Sequence, residues 1–202
     1  MSGAFPISTS KFSTMGIQSI QPTLISKSIS GKKLSRTIDA QRWAFTISII
    51  TSTRATAYGE LMAFIVKQRS GKENFTIIPP ELEDARGNIS GTVLVNGVHA
   101  VGDTTIAVDD MTGSLKAGDY LKFAHDKIYI VVADVTADGS NEATITIEPP
   151  LTTALADDSS VTYDNVPFTV HLTNDMQEFG VVGVDKDGNH LYKFEFDVEE
   201  TL

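Results

Sequence analysis

Histidine and cysteine supply many metal ligands and reactive groups in proteins. The chain has no cysteine, which excludes disulfides, thiolate metal sites and cysteine nucleophiles. Its four histidines are scattered, and no two have the spacing of a zinc-binding pair. They are His99, His125, His171 and His190. The sequence therefore predicts no metal centre and no cofactor.

Oxygen-bearing side chains alternate in the run DKDGN, which begins at Asp185. Asp185, Asp187 and Asn189 have the alternation with which a calcium loop begins. The same loop needs glycine and glutamate where this chain has His190 and Phe196. We therefore expect a hairpin turn at the Asp-Gly pair.

Three patterns that often belong to enzymes are incomplete in this chain. The tripeptide at 70–72, Ser-Gly-Lys, resembles the end of a phosphate-binding loop but follows a predicted helix and lacks the earlier glycine. No Gly-x-Ser-x-Gly nucleophile motif occurs. The acidic pairs at 109–110 and 157–158 are typical of polar turns. We therefore expect a protein that is not an enzyme.

A predicted strand contains the only tryptophan of the chain. Apolar side chains alternate with polar or small ones from residue 42 to residue 49, which is the period of a strand with one buried face. The apolar members are Trp43, Phe45, Ile47 and Ile49. We expect Trp43 to anchor a core.

The next segment changes to the period of a helix, predicted at about 54–70. Leu61, Phe64 and Ile65 lie on its apolar side and are predicted core residues. A hydroxyl of Thr51, Ser52 or Thr53 is expected to cap its amino terminus, and Gly71 to end it in the left-handed conformation. A strand at 73–78 is expected to follow, ending before two prolines.

Residues 88–165 contain short β runs separated by turn signals, with no helical period. Runs are predicted at 91–95, 104–108, 120–123, 127–135, 142–147 and 161–163. Five or six strands at this spacing favour a small closed barrel of the OB or SH3-like kind. The ends of such a barrel lie close together, as insertion into another domain requires.

The two flanking parts, 1–87 and 166–202, differ from this segment in their strand pattern. We predict that they form one discontinuous domain. A hairpin is expected to turn near Ser30 and Gly31, and further strands to include 168–172 and 191–198. The predicted fold is mainly β: a β-sandwich with one α-helix, interrupted at 88–165 by the OB/SH3-like β-barrel.

The formal net charge of −10 is unevenly distributed. Residues 1–45 carry a net charge of +5, residues 89–165 one of −9, and residues 166–202 one of −6. An acidic chain of this kind is not expected to bind nucleic acid stably. No apolar run is long enough to cross a membrane, and none near the amino terminus resembles a signal peptide, so we expect synthesis in the cytoplasm.

The order and spacing of these segments resemble the distal tail proteins of long-tailed bacteriophages. The resemblance covers nearly the whole chain and rests on the Gln41-Arg42-Trp43 strand, the helix leading into ENFTIIPP, the run GTVLVNG to ATITIEPPL, and the closing LYKFEFDVEETL. It is greatest to the short type, in which a β-sandwich with one helix carries an inserted OB-like barrel. Larger relatives add a galectin-like carboxy-terminal domain, which is expected to be absent here.

The resemblance implies a structural virion protein that acts in the viral tail without catalytic residues. Such proteins form a six-fold ring that joins the tail tube to the baseplate hub and lets DNA pass, with fibre or hub proteins as further partners. One alternative is another tail tube or baseplate hub component. A second is a module in which the barrel binds host glycan or a fibre protein, for which the available aromatic residues are Tyr120, Phe123, Tyr129 and Tyr163.

Overall fold

The computed structural model describes residues 3–6, 12–38, 41–80 and 82–201. Across them the chain is mainly β, with fifteen strands and one α-helix, as predicted from the sequence. The strands are β1 Phe12–Ile20, β2 Thr23–Lys27, β3 Lys33–Thr37, β4 Arg42–Thr53, β5 Phe75–Ile77, β6 Leu94–Val95, β7 Thr105–Asp109, β8 Ser114–Leu115, β9 Tyr120–Lys122, β10 Ile128–Val131, β11 Val135–Thr136, β12 Ala143–Glu148, β13 Phe168–Leu172, β14 Gly180–Val184 and β15 His190–Glu200. The helix α1 is Gly59–Lys67.

Contacts within the chain define two compact units. The first unit comprises Met1–Ser19, Trp43–Pro80 and Pro167–Thr201, and the second comprises Ile20–Arg42 and Glu81–Val166. The sequence interpretation assigned residues 20–42 to the first domain, whereas their contacts group them with the second unit. A buried bond at the end of this segment joins it to the rest of the second unit, where Lys127 Nζ donates to Gln41 Oε1 at 2.6 Å.

A six-stranded sheet forms the first unit, in the order β1-β4-β15-β13-β5, with β14 paired to β15 alone. Strands β4 and β15 run antiparallel, from Thr53 opposite Leu191 to Ala44 opposite Glu199. The alternation predicted around Trp43 is present: the apolar members are buried and their neighbours are mostly half-buried. Burial of this face provides the core on which the unit depends.

The helical segment is shorter and less regular than the predicted 54–70. A π-helical turn at Arg54–Tyr58 precedes α1, and a 3₁₀ turn at Ser70–Lys72 follows it. The side chain of Thr53 does not cap the π turn, and its hydroxyl lies 3.1 Å from the hydroxyl of Thr56. The candidate cap at Thr51 has a side chain outside the described part of the structure.

The prediction that Gly71 ends the helix in the left-handed conformation was wrong. Arg69 and Ser70 take the left-handed conformation, with φ of 53° and 60°, and Gly71 does not. Gly71 instead packs against the backbone of β13, where an added Cβ would lie 2.5 Å from the Leu172 carbonyl oxygen. A glycine is needed here for close approach, not for a positive φ.

The second unit contains a curled five-stranded antiparallel sheet in the order β6-β7-β12-β10-β9. A short segment links its two edge strands, since Ser160 bridges to Leu94 of β6 and Thr162 bridges to Lys122 of β9. Fifteen buried apolar residues fill the interior of this sheet. The chain also enters and leaves it side by side, because the Val166 N–H donates to the Glu83 carbonyl at 3.3 Å.

Several predicted strands of this sheet are shorter than expected. The run at 127–135 divides into β10 and β11, and β11 pairs with β8 instead of the main sheet. The run at 161–163 contributes only the bridge at Thr162, and the run at 91–95 only Leu94–Val95. Turns interrupt these ladders at residues that a period-two pattern does not distinguish.

Candidate assembly surface

A separate β-hairpin formed by β2 and β3 is the most exposed part of the second unit. Its register runs from Thr23 opposite Thr37 to Lys27 opposite Lys33. Ser28 shapes the loop, since its carbonyl accepts from Gly31 N at 2.9 Å and its hydroxyl accepts from Lys32 N at 3.1 Å. Gly31 has a φ of 80°, so the turn lies where the sequence predicted it.

Apolar side chains of this hairpin are exposed on both faces. Leu24 and Ile25 are neighbours in β2 and therefore point to opposite sides, and their exposed fractions are 61% and 57%. Leu34 in β3 is also exposed, as is Ile29 in the loop. A lone two-stranded hairpin is at best marginally stable in water, so these side chains are expected to be covered by another surface.

The hairpin is also basic. Residues 12–38 contain four cations and no acidic residue, and the cations are Lys27, Lys32, Lys33 and Arg36. Lys27 and Lys33 lie opposite each other in the ladder, with Lys32 beside them in the loop. Like charges placed opposite each other destabilise a sheet, so an acidic surface would stabilise this end of the hairpin.

A second exposed apolar strand, β14, lies at the edge of the sheet in the first unit. Among the described residues it pairs only with β15, and its register shifts between Val181 and Gly183. Val181, Val182 and Val184 are 53–57% exposed. The other edge of β14 therefore offers free backbone N–H and C=O groups beside uncovered valines.

An acidic turn follows β14. The Asp185 carboxylate accepts from Asn189 Nδ2 at 3.0 Å and from the N–H groups of Asp187 and Asn189 at 2.8 and 2.9 Å. These bonds, first that from the Asn189 side chain, lower the pKa of Asp185. The arrangement is the hairpin turn that the sequence predicted. It keeps a fixed negative charge next to the exposed edge.

The four predicted core anchors lie in the first unit. Trp43, Leu61 and Ile65 are buried. Phe64 is half-buried and makes edge-to-face contacts with Phe5 and Phe75, with ring centroids 5.7 and 5.3 Å apart. These residues position α1 and β4 in the interior of the unit and do not form part of the exposed surfaces.

Three of the four histidines, His99, His125 and His171, lie in separate local networks. His99 Nε2 accepts from Ala107 N at 3.2 Å, and His171 Nδ1 lies 3.1 Å from the Thr201 hydroxyl. His125 lies in an aromatic cluster beside Tyr129. No group of three or more His, Asp or Glu side chains among the described residues is arranged to hold a metal ion. No helix in this part of the chain has the length and apolar character needed to cross a membrane.

The barrel aromatics considered for sugar binding are mostly interior. Tyr120, Phe123 and Tyr129 are buried, and the Tyr129 hydroxyl lies 3.1 Å from the Thr152 hydroxyl. Tyr163 is half-buried and donates its hydroxyl to the Gly91 carbonyl at 2.7 Å. These rings complete the interior of the barrel and do not present an exposed stacking platform.

Comparison with known proteins gives no assignment. No protein-family model matches this chain, and no curated protein matches its sequence. Among the described residues, the exposed hairpin and the edge of β14 are the candidate functional surfaces.

Sequence reasoning located the hairpin turn but missed both exposed surfaces. One signal was available in the hairpin, because adjacent Leu24 and Ile25 cannot both face one core and residues 12–38 lack any acid. The sequence GVVGV of β14 gives less information, since its two glycines weaken the pattern of a strand.

Proposed function

We propose that this protein is a structural subunit of a phage tail, which forms a ring at the distal end of a long tail, joins the tail tube to the baseplate hub and lets DNA pass. The observation that carries the proposal is the β2–β3 hairpin, which is basic, apolar on both faces and uncovered. A protein that acts alone has little reason to expose such a hairpin. The inference that the protein acts in a tail and forms a ring rests on the resemblance of its sequence to distal tail proteins.

Charge favours a second copy of the same chain as the partner. The hairpin carries four cations, while residues 89–165 and 166–202 have net charges of −9 and −6. A basic surface on one copy and an acidic surface on the next differ from each other, so their contact is head-to-tail. Head-to-tail contacts form a closed ring when their rotation repeats to closure.

The acidic excess also suits passage of DNA. Basic side chains around a channel would retain the phosphates that move through it, whereas an acidic or neutral lining would not. Another tail tube or hub component remains the nearest alternative, and it would differ in how its rings stack. The sugar-binding alternative gains no support from the barrel, whose aromatic residues are mostly interior.

The proposal is tested by measuring the mass of the purified protein across concentration and imaging the same samples by negative-stain microscopy. We expect rings of six to become more abundant with concentration. A protein that stays monomeric up to about 1 mM, where the association free energy would be weaker than about −4 kcal/mol, would contradict self-assembly.

A matched pair of variants shows whether the hairpin carries the assembly. Ile25→Ser removes an apolar side chain that is 57% exposed in the hairpin, and Val101→Ser removes one that is 63% exposed in the barrel. We expect only Ile25→Ser to reduce ring formation. Equal effects would mean that general surface apolarity, and not the hairpin, drives association.

A further inference from the structure

We propose that the β2–β3 hairpin of one copy adds to the free edge of β14 in the next copy, so that a continuous sheet crosses the subunit boundary. This inference rests on the proposed self-assembly and names the surface that receives the hairpin. Both partners are strands that leave one edge unpaired among the described residues. Each edge supplies the backbone donors and acceptors that the other needs.

The exposed side chains of the two edges fit each other. Leu24 and Ile25 expose apolar groups on both faces of β2, and Val181, Val182 and Val184 are exposed in β14. Sheet addition would place these side chains beside one another as cross-strand apolar pairs. A flat surface could cover only one face of the hairpin.

Charge favours β14, and not a second hairpin, as the edge to which the hairpin adds. The hairpin ends at Lys27, Lys32 and Lys33, while β14 leads into the turn of Asp185 and Asp187. The residues on either side of β14, 173–179 and 185–189, carry four acids and one lysine. Pairing of two hairpins with each other would instead bring like charges together, which disfavours it.

The bulge in β14 and its small residues leave room for an added strand. A Cβ built on Gly180 or Gly183 has no neighbouring atom within 4 Å, so both positions are open on the outside. The register shift between Val181 and Gly183 limits how far the ladder can extend. A short added ladder with apolar contacts on both faces is the expected result.

Disulfide trapping tests this pairing directly, because the natural chain contains no cysteine. Single-cysteine variants are made at hairpin positions, Ile25→Cys and Leu34→Cys, and at the β14 position, Val182→Cys. Each hairpin variant is mixed with Val182→Cys under mild oxidation. Disulfides require Cβ atoms about 3.5–4.5 Å apart, so crosslinking reports close neighbours.

We expect Ile25→Cys mixed with Val182→Cys to give crosslinked pairs at least fivefold faster than Val101→Cys mixed with Val182→Cys. Val101 is the control because it is similarly exposed but lies in the barrel. Leu34→Cys should crosslink more slowly than Ile25→Cys, because β3 is one strand farther from β14. Assembled protein in which Ile25→Cys crosslinks no faster than the control would overturn the pairing while leaving self-assembly intact. A protein that does not assemble at all would overturn both proposals.

Charge exchange gives an independent measurement. Val182→Lys removes an apolar contact and places a cation against the basic hairpin, and is expected to weaken association at least fivefold, whereas Val182→Glu loses only the apolar contact and is expected to weaken it less. Combining Val182→Lys with Lys33→Glu should restore part of the loss. Equal weakening by Lys and Glu at residue 182, without restoration, would contradict the proposed contact.

Discussion

Lys27 and Lys33 face each other across the ladder of the β2–β3 hairpin, although nothing in residues 12–38 can neutralise them. Two ammonium groups in this position oppose formation of the hairpin. Their arrangement is favourable only when an acidic surface approaches, and this property gives the first prediction.

Lys33→Glu should stabilise the free hairpin and weaken self-association. The new carboxylate would attract Lys27 across the ladder, by about 0.2–1 kcal/mol, but would repel an acidic neighbour. We expect roughly a two- to tenfold weaker association by sedimentation equilibrium at low salt. Lys72→Glu, which makes the same change of charge at an exposed position of the first unit, is the control. An equal effect of the two variants would contradict a role for the hairpin.

Asp119→Asn should destabilise the second unit. The Asp119 side chain is fully buried and accepts from Arg86 N at 3.0 Å, Arg86 Nε at 3.2 Å and Lys116 N at 2.8 Å. Loss of its charge leaves these donors poorly satisfied, at a cost of about 1–3 kcal/mol in the free energy of unfolding. Calorimetry should detect this as a lower melting temperature.

Asp134→Asn is the matched control for that measurement. Asp134 accepts from Lys116 Nζ and Ala117 N at 2.9 Å, but its side chain is 61% exposed. Water can replace these partners, so the change in melting temperature should be much smaller. Similar decreases in melting temperature for the two variants would show that the burial of Asp119 does not determine the loss of stability.

Gly87→Ala should disturb the entry of the chain into the barrel. A Cβ at Gly87 would overlap the carbonyl oxygen of Ser114, and neighbouring backbone cannot move as a flexible side chain can. Overpacking of this kind costs about 1–3 kcal/mol, which urea denaturation would measure. Gly139→Ala is the control, since open space surrounds that position. A stable Gly87→Ala protein would contradict the close approach.

His125 should make stability depend on pH. Burial lowers the pKa of His125 below 6.5, an effect that Asp126 opposes and that Lys122 and Lys127 reinforce. The unfolded chain therefore binds more protons, so stability should fall as pH drops below about 6.5 and level off once it passes the folded-state pKa. His125→Gln should reduce this slope below about pH 6.5. His190→Gln, at an exposed position, should leave it unchanged.

The regular parts of the fold could be predicted from the sequence because local pattern and burial agree there. The alternation at Trp43 and the helical spacing of Leu61 and Ile65 both correspond to buried faces. The division of 127–135 into two strands could not be predicted, since it depends on the pairing of β11 with β8. Gly71 shows a related limit: a helix-ending glycine and a close-packed glycine look alike in a sequence.

The candidate assembly surfaces were harder to predict than the core. A hydrophobic pattern indicates that residues such as Leu24 and Val182 will be covered, but not whether the same chain covers them. That distinction depends on the edges that the finished sheets leave unpaired. Two features of the sequence pointed to a partner in advance: the adjacent apolar residues Leu24 and Ile25, and the absence of acids near Lys27.

The hydrogen bond between Val166 N and the Glu83 carbonyl gives the segment 83–166 a single point of entry and exit. Such a segment can be exchanged as one piece, because its removal leaves two chain ends that already lie side by side. A single recombination event could therefore replace the barrel while keeping the residues that form the hairpin and β14. The new segment would also have to replace Lys127, whose bond to Gln41 joins it to the segment that carries the hairpin.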